Sequence, residues 1–569
     1  MSQASGRSLV GALLSCSFLA AGLASTPALA RGDRAFAEGA VANTQEGPVR
    51  GVVRDGVSTF LGIPYAEPPV GDLRWRPPEP AGHRSDVLDA TEFGSNCPQV
   101  TELGAFAGPP GANEDCLFLN VFTTDTRQRA PVIVWIHGGG NFDGESNDYD
   151  GSKLARGGPL GSPTVVVTLN YRLGLLGFLS HPALNTEGHP FGNYGIMDIQ
   201  AALRWVRKNI ASFGGDPDRV TLGGQSAGAV DTMANMISPQ AAGLFHRAIP
   251  QSSPVDTNPF APLPWATKAG KAFAEAAGCR GADSDTAACL RKLPAARILQ
   301  LQGTPNASSP YVIGTMVDGF IIPITAETAW RTGRFNRVPV LGGSTHDEAT
   351  FLSGIAEYFS GPPQMPFTAD QYTAIVTATF SGPAGPVGSP PNYPPGTADA
   401  VLAHYPLGNY ADPMVAYSAV MTDSLTVGPC RSRHVDQLLS RWVPVYAYQF
   451  NYRKAPYFFP EMPGFDPMAA HTIDIQFLFK GWHGGNLGVN SRALNAKEST
   501  LSDQMVAAWT NFARTGNPNG SGNFPWPRYT TEPGAPAILS QDIPVSRTMT
   551  DAELAANHQC DFWETILIH

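Results

Sequence analysis

A β-branched stretch ending at Leu222 runs into Gly224-Gln225-Ser226-Ala227-Gly228, which sets a serine between small residues with no bulk on either side. The spacing G-x-S-x-G fits the sharp strand-to-helix turn that lifts a serine hydroxyl clear of the backbone. A chain that makes this turn is confined to folds in which a buried strand feeds directly into a helix. Gly and Ser also fill ordinary tight turns, so the rest of the sequence has to decide between the two readings.

Short β-branched runs recur along the chain: Val132-Ile133-Val134-Trp135-Ile136, Thr164-Val165-Val166-Val167-Thr168-Leu169, Val220-Thr221-Leu222, Val338-Pro339-Val340-Leu341 and Val443-Pro444-Val445-Tyr446-Ala447-Tyr448. Each reads as a buried strand. Helical spacing lies between them. Ile199, Leu203, Val206 and Ile210 keep one face as far as Phe213-Gly214-Gly215, and a later helix runs from about Ser502, with Met505, Trp509 and Phe512 inward, to Gly516. Strands interleaved with helices predict an α/β fold with a large, mostly parallel sheet covered on both faces. Val49 to Arg54 and Ser58 to Tyr65, around Asp55-Gly56, read as a hairpin forming an antiparallel N-terminal edge. Residues 361 to 396 are rich in Pro and Gly and weakly periodic, and predict a surface excursion or lid in an insertion around 355–400.

The chain has 569 residues and a formal net charge of -10, with a pI near 5.6. Such an acidic balance offers no electrostatic footprint for nucleic acid and no polybasic run for anionic membranes. Residues 31 to 569 hold no apolar stretch long enough to span a bilayer. The first thirty residues differ: Arg7, an apolar run from Leu9 to about Ala24, then Pro27-Ala28-Leu29-Ala30, which predict a secretory signal peptide over 1–30 cut after Ala30. A secreted or periplasmic protein follows. Cys16 faintly matches a lipoprotein cleavage site, but the apolar run continues past it. Six cysteines remain, Cys97, Cys116, Cys279, Cys289, Cys430 and Cys560, and an even count after export predicts disulfides whose pairing spacing alone cannot choose. With no C-x-x-C and no H-E-x-x-H, no metal is expected.

A serine hydroxyl becomes a nucleophile when a base takes its proton, an acid orients that base, and fixed donors receive the oxyanion. The order Ser, then Asp or Glu, then His, with an HGGG-type loop upstream, is the order these parts take on the α/β-hydrolase fold. Here His137-Gly138-Gly139-Gly140 follows the strand ending at Ile136, Glu348 lies in Ser344-Thr345-His346-Asp347-Glu348, and His471 lies in Ala469-Ala470-His471-Thr472-Ile473-Asp474.

With these stand Leu61-Gly62-Ile63-Pro64-Tyr65-Ala66-Glu67-Pro68-Pro69, Glu114-Asp115-Cys116-Leu117-Phe118-Leu119-Asn120-Val121, Asn170-Tyr171-Arg172-Leu173-Gly174, Phe213-Gly214-Gly215-Asp216-Pro217 and Gly243-Leu244-Phe245-His246-Arg247-Ala248-Ile249. The chain resembles the type-B carboxylesterase and cholinesterase family of α/β-hydrolases over nearly all of its mature length. That resemblance implies Ser226 as nucleophile, Glu348 as acid, His471 as base, and the backbone N–H groups of Gly139, Gly140 and Ala227 as oxyanion donors. It implies the pairs Cys97–Cys116, Cys279–Cys289 and Cys430–Cys560, a structural ion pair of Arg74 with Glu114, and no cofactor. Ser252 matches a serine that supports the triad acid by a hydrogen bond in relatives, with packing near the sheet as its other reading.

The sequence also departs from the pattern. Gln225 stands where the family usually has Glu, which removes a negative charge near the developing imidazolium. Asp231 stands where a small Ser is common; it either brings a carboxylate near the imidazolium in place of the missing one or, the preferred reading, is a capped or solvated helix residue. Ala349 replaces the Gly that usually follows the acid. Asp347 competes with Glu348 for the acid, and His346, His434 and His483 compete with His471 for the base. The disulfide loop "PQVTELGAFAGPPGANED" has Phe106 as its only aromatic and lacks the Trp that holds choline, which argues against choline esters. Tyr446, Tyr448, Phe450, Tyr452, Tyr457, Phe458 and Phe459 could line a gorge for apolar or aryl esters or simply pack the core. The expected activity is carboxylic ester hydrolysis through an acyl-enzyme. A serine acylhydrolase for amides, thioesters or carbamates, and a non-catalytic adhesion protein on the same fold, are the alternatives. The triad members span 226 to 471, so residues 31–569 read as one catalytic domain.

Overall fold

Seven neighbouring strands of an 11-stranded sheet run parallel and carry the site at their carboxyl ends. The computed structural model describes residues 40–100, 109–252, 260–303, 311, 313–361, 363–381, 393–424, 428–459, 461–480 and 492–567. Residues 1–30, where a signal peptide is expected, and Phe106 and His483 lie outside them. In chain order the strands are β1 (Val52–Arg54), β2 (Val57–Pro64), β3 (Phe118–Thr123), β4 (Ala130–Ile136), β5 (Val165–Leu169), β6 (Gly215–Gln225), β7 (Arg247–Gln251), β8 (Val340–Thr345), β9 (Val445–Phe450), β10 (Ile538–Gln541) and β11 (Arg547–Met549). Across the sheet they lie β11-β10-β9-β8-β7-β6-β4-β5-β3-β2-β1.

The central strands are apolar on both sides because both faces are covered. Val132, Val134 and Ile136 of β4 enter one core cluster, while Ile133 and Trp135 enter the other. Helix α1 (Tyr194–Asn209) adds Ile199, Leu203 and Val206 to the first cluster. On the other face the helix Ala496–Thr515 adds Met505, Trp509 and Phe512 to the second. The described residues form one compact unit.

The hairpin forms with a different first strand. Val52–Arg54 pairs antiparallel with β2 about Asp55-Gly56, but Val49 belongs to a separate strand, Gly47–Arg50, in a small three-stranded sheet. A second antiparallel edge, β11 on β10, went unread because Arg547–Met549 is too short to show a pattern. The late helix begins before Ser502, at Ala496, where Asn495 and Glu498 make a reciprocal capping box. Its polar first turn hid that start from an apolar-periodicity reading. The segment 361–396 holds a helix, Ala369–Ser381, whose Tyr372, Val376 and Phe380 are buried one turn apart. Flanking Pro and Gly had masked that stripe.

The cysteines pair as Cys97–Cys116, Cys279–Cys289 and Cys430–Cys560, with Cα separations of 4.9, 5.6 and 5.1 Å. Arg74 Nε donates to Glu114 Oε2 at 2.6 Å, the expected structural ion pair. Among the described residues no helix is long and apolar enough to cross a membrane.

Candidate active site

Ser226 is the single residue between β6 and helix α2 (Ala227–Ile237), at φ 57° and ψ -124°. A serine rarely adopts this conformation, and it persists here because the flanking packing fixes it. A Cβ on Gly224 would lie 2.5 Å from the Gly228 carbonyl oxygen, and one on Gly228 only 2.1 Å from that of Ile136. Both glycines therefore let the turn lie directly against the end of β4, where the HGGG loop emerges. Gly228→Ala is expected to destabilise the protein by about 3 kcal/mol, read as a lower denaturant midpoint with unchanged m-value.

In that loop Gly139, Gly140 and Asn141 take φ of 110°, 61° and 64° in succession. Glycine enters this region freely, and asparagine more readily than most other residues. A Cβ on Gly139 would meet the Asp143 carbonyl oxygen at 2.1 Å, so no other residue fits there. Consecutive backbone N–H groups in such a turn form an anion-binding concavity. His137 stacks on Tyr171 at 4.6 Å, and burial pushes its imidazole down to about 4. Ala227, buried at the first position of α2, offers its own N–H beside the serine.

Downstream of β8, Glu348 is buried and its Oε2 is hydrogen-bonded to His471 Nδ1. Its other oxygen accepts from the Thr345 N–H at 2.7 Å, and the His471 N–H donates to the Glu348 carbonyl at 3.2 Å. These bonds fix the carboxylate and the imidazole relative to each other. Asp347, the rival acid, turns away. Arg453 Nε donates to its Oδ2 at 2.8 Å and His346 Nδ1 lies 3.0 Å from its Oδ1. Burial opposes ionisation, yet His346 and Arg453 together hold this carboxyl down at about 2. His346 thus faces Asp347, and His434 lies 3.6 Å from Glu327. Neither meets Glu348.

Among the described residues Ser226 Oγ makes no hydrogen bond to His471. Gln225 Nε2 instead lies 3.1 Å from His471 Nε2 and 3.5 Å from Nδ1. A donor in the ring plane would be near one nitrogen and far from the other. Nearly equal separations put the carboxamide over the imidazole face. Ser252 follows β7 at φ 53°, and its Oγ is buried without a hydrogen-bond partner among the described residues. Of the two readings of Ser252, the bond to Glu348 is therefore not made, and the Thr345 N–H serves that carboxylate. Asp474, three residues past His471, accepts from Gln251 Nε2 and Tyr448 Oη, each at 3.1 Å. Burial, then the Glu348 charge, push its carboxyl up to about 6.

One wall beside His471 is apolar. The Phe351 ring lies 5.6 Å from the imidazole and packs with Phe458, Phe459 and Met462. Tyr446, Tyr448 and Phe450 are β9 core residues, and Tyr452 bonds Glu498, so of the seven aromatics only Tyr457, Phe458 and Phe459 join this wall. No group of three or more His, Cys, Asp or Glu among the described residues is arranged to hold a metal.

The model of the Carboxylesterase family matches residues 38–563. The chain belongs to the carboxylesterase family. It is 34% identical over 517 residues to the para-nitrobenzyl esterase of Bacillus subtilis (strain 168), covering 89% of this chain and 96% of that one. The fumonisin B1 esterase of Sphingopyxis macrogoltabida is also 34% identical, over 86% of this chain and 84% of its own. A solved structure of PNB esterase superposes with a TM-score of 0.71 at 30% identity, over 91% of this chain and 99% of the other. The fold is that of the α/β-hydrolases, and the chain is a carboxylic ester hydrolase of this family.

Within this carboxylesterase one preferred reading is corrected and one buried carboxyl is added. Asp231 is fully buried and hydrogen-bonded, neither a cap nor solvated. Asp474, buried behind His471, is the addition. Asp231 had a signal in its unusual charge, while Asp474 had none, since its partners Gln251 and Tyr448 come from two distant strands.

Proposed function

We propose that this carboxylesterase is an exported enzyme that cleaves apolar or aryl esters through Ser226, His471 and Glu348, with Gly139, Gly140 and Ala227 as oxyanion donors. The observation that carries the reading is the buried hydrogen bond from His471 Nδ1 to Glu348 Oε2, next to a serine held in the strained turn. A carboxylate on Nδ1 leaves Nε2 as the base and stabilises the imidazolium as it forms. Ser226 attacks the ester carbonyl and its proton passes to His471. The oxyanion collects on the loop N–H groups, the protonated imidazole delivers its proton to the leaving alcohol, and water repeats the sequence on the acyl-enzyme. The Gln225 carboxamide over the ring face leaves the in-plane lone pair of Nε2 open to Ser226, and that bond forms on substrate binding, in keeping with catalytic bonds that tighten only with substrate bound. The Phe351, Phe458, Phe459 and Met462 wall favours an apolar substituent beside the imidazole.

The test is hydrolysis of p-nitrophenyl esters of increasing acyl length by the purified protein. Turnover that persists in EDTA and improves over acetate as the acyl chain grows supports the reading. No turnover at any length overturns it. Gln225→Glu adds a negative charge beside the imidazole and favours its protonated form. Since the base must start neutral, the acid limb of the pH–rate profile is expected to move to higher pH by ~1 unit, while the alkaline limb keeps its position.

A further inference from the structure

Asp231 lies on α2, five residues past Ser226, with no exposed surface. Its Oδ1 accepts from Asn141 Nδ2 at 3.2 Å, and Thr315 Oγ1 lies 3.4 Å from the same oxygen. Asn141 immediately follows Gly140 and is itself held on all sides. Its Oδ1 accepts from Tyr171 Oη at 3.0 Å, and its carbonyl accepts from the Gly174 N–H at 2.7 Å. Tyr171 Oη also lies 3.2 Å from the His137 carbonyl, at the other end of the loop. A continuous set of hydrogen bonds therefore runs from the helix that carries the serine, through Asp231 and Asn141, to both ends of His137-Gly138-Gly139-Gly140.

We propose that Asp231 is a positioning residue that ties the oxyanion loop to the nucleophile helix through Asn141 and works as the neutral carboxylic acid. The assignment of Gly139 and Gly140 as donors underlies the catalytic part of this proposal. Three residues in left-handed conformations have no helix or sheet ladder to hold them. The Phe142 and Asp143 N–H groups close the turn on the Gly139 carbonyl, each at 3.0 Å, and a side chain is still needed to tie that turn to the nucleophile helix. Asn141 is that side chain, and Asp231 is its anchor.

The charge state follows from the surroundings. The groups that face Asp231 are Asn141, Thr315 and Tyr171, and none of the groups acting on it is a cation. Tyr171 in turn faces Asp143 and Tyr149. The Asp143 carboxyl lies beneath Gly139, where a Cβ would be 2.5 Å from its Oδ1. Burial pushes the Asp231 carboxyl up to about 7, against the hydrogen bonds from Asn141, Thr315 and Tyr171. Below that pH the acid is neutral and adds no charge of its own at the loop. Above it, a buried negative charge stands one side chain from Gly140 and opposes the oxyanion. Turnover should therefore fall as pH rises through about 7, and a neutral replacement should remove that fall.

Two readouts test this on the full-length protein with Asp231→Asn and Asp231→Ala, each checked for an unchanged unfolding m-value. The first is amide hydrogen exchange of the segment 137–145, which needs no turnover. Asp231→Ala is expected to speed it by tenfold or more, while Asp231→Asn, whose carbonyl still accepts from Asn141, leaves it within about twofold. The second is kcat against pH on a p-nitrophenyl ester. Asp231→Asn is expected to lose the alkaline fall, and Asp231→Ala to lose ~10²-fold in kcat with KM little changed. Wild-type exchange in Asp231→Ala would overturn the positioning role, and an alkaline fall retained by Asp231→Asn would overturn the neutral-acid role. Faster exchange in a protein that turns over no ester would uphold the anchor and instead remove the proposed function.

Discussion

Replacing Ser226 by alanine is expected to lower kcat by about 10⁶-fold, with KM and the unfolding midpoint almost unchanged. The variant keeps a Cβ, so the strained backbone at φ 57° is no worse served. Only the hydroxyl is lost. What remains should be the slow attack of water on an ester held by the oxyanion loop, still faster than in solution. Steady-state hydrolysis of a p-nitrophenyl ester at high enzyme concentration measures it. A loss of less than about tenfold would mean that another group carries the acyl chain.

Glu348→Gln should cost about 10⁴-fold in kcat/KM. An amide can bond to Nδ1, but it neither selects the tautomer that leaves Nε2 as a base nor stabilises the imidazolium. The instructive comparison is Asp347→Asn at the neighbouring position. Asp347 is engaged by Arg453, His346 and the Ala469 N–H, the last at 3.1 Å, and none of these bonds reaches the imidazole. Its replacement should therefore leave kcat/KM within about tenfold and show itself as a lower unfolding midpoint. If the two variants exchanged behaviour, the assignment of the acid would be reversed.

The sequence was most legible where one local rule governs several residues. Continuous apolar runs located β4, β5 and β9 to within a few residues, because strands buried on both faces tolerate little else. Glycines that permit close approach marked the elbow and the HGGG loop. The short edge β11 and the polar first turn of the helix at Ala496 carried no periodic signal. For the proposed triad the sequence offers Ser226, Glu348 and His471 as candidates, yet nothing in Asp347-Glu348 says which carboxylate turns inward. That choice comes from Arg453, a hundred residues away in the chain and adjacent in space. The same holds for Gln225, whose neutral charge was readable but whose position over the imidazole was not. It holds also for Ser252, where likeness to relatives offered a bond that its buried hydroxyl does not make.

The most direct measurement is covalent labelling with a serine-directed fluorophosphonate, followed by peptide mapping of the intact protein. The account predicts a single modified serine at 226, lost in Ser226→Ala and strongly slowed in His471→Ala. A label on any other residue, or none under conditions that modify a known esterase, would contradict it.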